Sequence, residues 1–197
     1  FQNNQCTIHL YDGNTVPSGS TPAPTPTNTP APTPTNTPTP TSTTTPTPTP
    51  SPNGGMTNGS FETGDFTGWT RSGTTSISNT AHSGSHAAQA GINSPTNGNS
   101  SLRQTFTAPG GTRTLGFWYQ VHCPDEVTYD WATAKLKNNT TGTTTTILAK
   151  TCTTNATWMH VLTSITAGHS YTLILISHDE DNPGDPTYTL FDDVTVS

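Results

Sequence analysis

Trp118, Tyr129, Trp131 and Trp158 are large flat rings set among polar residues, and Asp130 and His160 lie beside them in sequence. A flat ring can pack on the C–H face of a pyranose, while its hydroxyls need hydrogen-bond partners, so these six residues form a candidate sugar-contacting set. The blander reading is that the rings fill a core, which a domain of this size needs. Catalytic signatures are absent: there is no His-Glu-x-x-His, no Gly-x-Ser-x-Gly, no phosphate loop and no dinucleotide fingerprint. Glu62, Asp125, Glu126 and Asp130 would form a carboxylate pair only if the fold assembled one, and catalysis within this chain is not expected.

The elements that must position these residues are short β-strands. Strands are expected at Thr74–Ser78, Ala87–Ala90, Leu102–Thr107, Thr114–Val121, Ala132–Lys137, Thr144–Ala149, Thr157–Ser164, Ser170–Ser177 and Tyr188–Val196, separated by Gly, Asn, Pro and Asp. Alternation places Leu115, Phe117, Tyr119 and Val121 on one face of their strand, and Tyr188, Leu190, Asp192, Val194 and Val196 together on another. No helical periodicity of useful length is present. Strands this frequent, with turns about every ten residues, predict an all-β fold: a single β-sandwich or jelly roll.

Composition divides the chain into three. Residues 1–16 hold one plausible strand, Cys6–Tyr11, read either as the end of a missing upstream domain or as a disordered leader. The chain begins at Phe1, so a fragment or a processed chain is expected. Residues 17–53 form a disordered Pro/Thr-rich linker in which Ala23-Pro-Thr-Pro-Thr-Asn-Thr-Pro30 recurs as Ala31–Pro38. Alternate prolines forbid helix and leave extended chain, reaching on the order of 100 Å at about 3.1 Å per residue. Residues 54–197 make the sandwich domain.

All six Lys/Arg and eleven of the twelve Asp/Glu lie after residue 54. An acidic domain without a basic stripe argues against nucleic acid or anionic membrane partners, and no apolar run approaches the roughly 20 residues of a spanning helix. Of three cysteines, Cys123 and Cys152 fall in the sandwich domain. With no Cys-x-x-Cys and no zinc-ligand spacing, a Cys123–Cys152 disulfide is favoured over a metal site, and it implies an oxidising, extracytoplasmic setting. The acidic segment His178–Asp185 does not match an EF-hand and reads first as a solvated turn, with a ligand-contacting loop as the alternative.

Asn58-Gly-Ser-Phe-Glu62, Gly68-Trp69, Ala81-His-Ser-Gly-Ser-His86 and Phe191-Asp-Asp-Val194 together resemble the galactose-binding-domain-like jelly rolls that include many carbohydrate-binding modules. Such modules are commonly appended by Pro/Thr linkers to secreted bacterial hydrolases. The resemblance covers residues 56–197 and implies a core position for Trp69. It also implies a structural calcium ion held by Glu62 and Asp192, with backbone carbonyls and a Ser83–Ser85 group completing the shell. The alternative is that Asp192 and Asp193 cap the strand in solvent. The function it implies is a non-catalytic, monomeric accessory domain of a secreted multidomain hydrolase, tethering it to polysaccharide or a cell-surface glycan. The competing expectation is a structural or adhesion module of a secreted peptidase with no glycan site.

Overall fold

The computed structural model describes residues 55–111 and 113–197. The Cys6–Tyr11 strand, Cys6 itself and the Pro/Thr segment lie outside the described residues. Ten strands form two five-stranded antiparallel sheets. The first has the order β1 (Thr70–Ser72), β4 (Asn97–Thr107), β9 (Ser170–Glu180), β6 (Trp131–Asn138), β7 (Thr144–Thr151). The second has the order β2 (Thr75–Ser78), β3 (Ala87–Gly91), β10 (Tyr188–Val196), β5 (Thr114–His122), β8 (Met159–Ser164). All nine anticipated strands are present, and the additional one is β1, three exposed residues paired only with β4.

Strict alternation dictates which faces meet. In β9, Tyr171, Leu173, Leu175, Ser177 and Asp179 are buried, while Thr172, Ile174, Ile176 and His178 are half-buried on the outside. The paired β4 offers Phe106, Gln104, Leu102 and Ser100 opposite the first four of those buried positions. From the second sheet come Leu115, Phe117, Phe191, Val194 and Val196, and the two inner faces close one core. Leu115, Phe117, Tyr119 and Val121 share the inward face as their alternation requires, with Tyr119 half-buried at its margin.

In β10 the alternation breaks. The β5–β10 register slips between Asp192 and Thr195, and Asp193 has a left-handed φ of 47°. This bulge inserts a residue and exchanges the two faces. Tyr188, Leu190 and Asp192 therefore do not share a face with Val194 and Val196; only the last two enter the core cluster.

The Asn58–Trp69 segment closes one edge of the core. Phe61 is fully buried, with its ring 5.2 Å from that of Trp69. Trp69 is 7% exposed and donates its indole N–H to the Asn58 carbonyl at 3.1 Å, which confirms its core position. Gly59 accepts a hydrogen bond from Val194 N at 2.9 Å, and a Cβ on Gly59 would collide with the Val194 carbonyl oxygen. The domain's first loop is thus joined directly to its last strand. Cys123 and Cys152 form the anticipated disulfide, closing a 29-residue separation.

Candidate functional site

The six candidate ligand residues do not form one cluster. They divide between the outer faces of the two sheets and the loop between β5 and β6.

On the outer face of the first sheet, Trp131 and His178 are direct cross-strand partners. Their rings stack with centroids 4.8 Å apart and planes 12° apart. Lys150 covers the ring from β7, its Nζ 3.9 Å from the centroid, a cation–π contact. On the β4 side, His178 Nδ1 meets Asn99 Oδ1 at 2.8 Å. Further along the same face lie half-buried Ile174 and Ile176 and the exposed charges of Arg103 and Lys135. Sequence reasoning named Trp131, and His178 only as the start of an acidic segment, but not Asn99 or Lys150. The outward position of His178 in β9 was a readable signal, but its pairing with Trp131 depends on a non-sequential strand order.

On the outer face of the second sheet, Trp118 pairs with His160 across β5 and β8, and their rings stack at 4.6 Å. From the opposite flank His82 stacks on Trp118 at 3.9 Å, with Trp158 edge-on to His82 at 5.6 Å. His82 is held there by its loop: Nδ1 lies 2.7 Å from Asp193 Oδ2, and its backbone N–H donates to Asp192. Exposed Leu162 stands beside His160 on the same face of β8.

In the β5–β6 loop, Tyr129 is exposed, but Asp130 is fully buried. Asp130 accepts the Glu180 backbone N–H through Oδ1, so its carboxylate is turned into the protein and does not reach the surface as a sugar contact. Burial pushes the Asp130 carboxyl above the usual range, and the charges of Asp179 and Asp125 add to the rise. One carboxylate oxygen from each of Asp125, Asp130 and Asp185 lies within 4.8 Å of the other two, a group that could hold a metal ion. The acidic segment is accordingly not simply a solvated turn: β9 extends to Glu180 and buries Asp179 at 1% exposure.

Glu62 and Asp192 both reach the 82–86 loop, from opposite ends of the domain. Glu62 accepts the backbone N–H groups of Ser85 and His86 at 2.9 and 2.8 Å. Asp192 accepts those of His82, Ser83 and Asp193 at 2.9, 3.2 and 2.7 Å. Gly84, at φ 66°, leaves room for the Glu62 carboxylate, which any Cβ there would strike. Asp192 is fully buried, and its carboxyl is pushed up to about 6, chiefly by that burial, against these N–H groups that lower it. Glu62 Oε1 and Asp192 Oδ2 each accept two N–H groups, so Glu62 Oε2 and Asp192 Oδ1, which each accept one, are the oxygens that keep a lone pair suited to a hard cation such as calcium.

No family model matches this chain, and no curated protein matches it. Solved structures do. TmCBM61, determined in complex with β-1,4-galactotriose, is similar over 72% of this chain and 96% of its own, at 18% identity and a TM-score of 0.54. The enzymatically active domain of tailspike protein 4 from bacteriophage CBA120 is similar over 74% of this chain but 21% of its own, at 16% identity and a TM-score of 0.53. The CBM22-1 xylan-binding domain of Paenibacillus barcinonensis Xyn10C follows at 18% identity and 0.47, covering 70% of this chain and 89% of its own. The fold of residues 55–197 is a β-sandwich jelly roll like that of carbohydrate-binding modules.

Proposed function

We propose that this domain is a non-catalytic carbohydrate-binding module whose sugar site is the outer face of the first sheet, centred on Trp131. The observation that carries the reading is the row Asn99–His178–Trp131–Lys150 across four adjacent strands. It places an aromatic ring, an amide, an imidazole and an ammonium in line on an open sheet face, with Ile174 and Ile176 beside them. Rings and aliphatic groups suit the C–H faces of a polysaccharide, and the polar groups suit its hydroxyls. Lys150 is exposed, so its swing from Trp131 opens one face of the indole. Tyr129 stands exposed in the adjoining loop. Trp118 is a weaker candidate, because imidazoles flank it on both sides and one of them is tied into the 82–86 loop.

The competing structural or adhesion reading would gain if all four candidate rings were buried in the core. Trp118, Trp131 and Trp158 are half-buried and Tyr129 is exposed, which favours binding. In the same reading the domain works in a secreted protein as a tether, where even weak affinity raises the effective concentration of a linked enzyme. A structural calcium ion belongs with it, held by Glu62 and Asp192; bound there, it would neutralise a buried carboxylate and strengthen the join between the first loop and the last strand.

Affinity electrophoresis of the whole chain through gels containing β-galactan, xylan, cellulose derivatives or mannan tests the proposal. Retardation by at least one polysaccharide is expected, and it should be lost in Trp131→Ala but kept in Trp118→Ala. Migration unaffected by a broad panel would sink the binding function; loss in Trp118→Ala alone would move the site to the other sheet.

A further inference from the structure

Buried oxygens without hydrogen-bond partners gather at one end of the sandwich. They are Asp125 Oδ2, Asp130 Oδ2, Asp179 Oδ1, Asp185 Oδ1 and Thr187 Oγ1. Asp130, Asp179 and Thr187 are 0–1% exposed, so solvent does not satisfy them. The partnered oxygens of the aspartates point elsewhere: Asp130 Oδ1 takes Glu180 N, Asp179 Oδ2 takes Thr96 N, and Asp185 Oδ2 takes Asn182 Nδ2. One carboxylate oxygen from each of Asp125, Asp130 and Asp185 comes within 4.8 Å of the other two, and each of these residues has a buried oxygen with no hydrogen-bond partner. Thr187 is near enough to Asp130 to oppose the rise of its carboxyl, but out of hydrogen-bond geometry.

Buried anionic oxygens packed this closely repel one another and are each desolvated, a cost that a protein avoids unless a counter-charge is supplied. No Lys or Arg is within ion-pair distance of these carboxylates among the described pairs. Oxygens bound to one calcium ion at about 2.3–2.6 Å can stand no more than about 5 Å apart, and the three carboxylates meet that limit, each offering an oxygen within 4.8 Å of the others. The donors are all oxygen, with no thiolate and no imidazole, which suits a hard cation and disfavours zinc or copper.

We infer that Asp125, Asp130 and Asp185, backed by Asp179 and Thr187, bind a calcium-type divalent cation separate from the Glu62–Asp192 clasp. The ion joins the β5–β6 loop, pinned at its start by the Cys123–Cys152 disulfide, to the β9–β10 loop. Both loops border Trp131 and His178, yet the inference stands on the acidic oxygens alone and does not depend on glycan binding there.

Thermal unfolding of the whole chain, with calcium, with magnesium and in chelator, decides it. Saturating calcium is expected to raise the wild-type midpoint by roughly 5 °C over chelator, with a smaller effect of magnesium, which demands near-octahedral geometry and gives up its waters reluctantly. Asp125→Asn combined with Asp185→Asn should remove that shift, and in chelator should melt above wild type because repulsion is relieved. Glu62→Gln with Asp192→Asn should leave part of the shift in place. Calorimetric titration with calcium alone gives the second readout, and Asp125→Asn singly serves where the double variant does not fold. A wild type indifferent to calcium, or a full shift retained in the Asp125 variants, overturns the site.

Discussion

Gly59 and Val194 hold the two ends of the domain together, Val194 N donating to the Gly59 carbonyl at 2.9 Å while the Val194 carbonyl fills the space where a Cβ on residue 59 would stand. Gly59→Ala must therefore push the first loop off the last strand. The expected cost is about 1–3 kcal/mol, in the range of overpacked sites, read as a lower denaturant midpoint with unchanged slope. Because Phe61 is anchored by the same loop, Phe61→Ala should cost more, about 3–5 kcal/mol. A Gly59→Ala protein as stable as wild type would show that the join contributes nothing.

The second prediction concerns the Trp131 face. His178→Ala removes the ring stacked on Trp131 and the partner of Asn99, but both side chains are at the surface, so stability should change by less than about 1 kcal/mol. Polysaccharide retention should fall less than in Trp131→Ala, since the larger ring supplies most of the apolar contact area. Lys150→Ala should separate two roles: unchanged or stronger retention marks the lysine as a cover on the indole, and weaker retention marks it as a direct hydroxyl contact.

Reduction of Cys123–Cys152 supplies a third. The cross-link closes a loop spanning β6 and β7, and its removal should destabilise by about 3.5 kcal/mol in the chain-entropy model. Cys123→Ser with Cys152→Ser should therefore lower the midpoint, and hydrogen exchange should quicken in the 124–130 loop before it does in β5. Equal exchange in both would locate the effect in the unfolded state alone.

The strands were legible because one face of each meets the core: the period-two pattern of β9 is uninterrupted, as is that of β4 from Ser100 onward. β1 was not legible, since Thr70–Ser72 is exposed throughout and bears no alternation. The β10 error has a local cause, because the bulge at Asp192–Thr195 exchanges faces without any glycine or proline to announce it. The sites were less legible than the fold. Trp131, Trp118 and Trp158 are half-buried and His160 is exposed, but the strand order sends them to opposite sheets. Asp125, Asp130 and Asp185 come from two loops 50 or more residues apart in sequence, and only the pairing of β6 with β9 brings those loops together.

Asp192 offers the final prediction, a pH dependence with opposite signs in two buffers. Its folded carboxyl titrates at about 6, above its ordinary 3.8, chiefly because it is buried. In chelator at neutral pH the group is ionised in both states and the buried charge opposes folding; as pH falls from about 6 to about 4 the folded form takes up the proton first, and the penalty is relieved. Wild type should thus gain stability relative to Asp192→Asn on acidification through that window, by at most about 3 kcal/mol. The comparison with the variant cancels the carboxyls of Asp130, Asp185 and Glu180, which are raised in the same direction. Saturating calcium should reverse the slope if an ion is held by Glu62 and Asp192, because the bound form requires the carboxylate and acid would release the metal. A wild-type-minus-variant slope identical in calcium and in chelator would leave the clasp as hydrogen bonds alone.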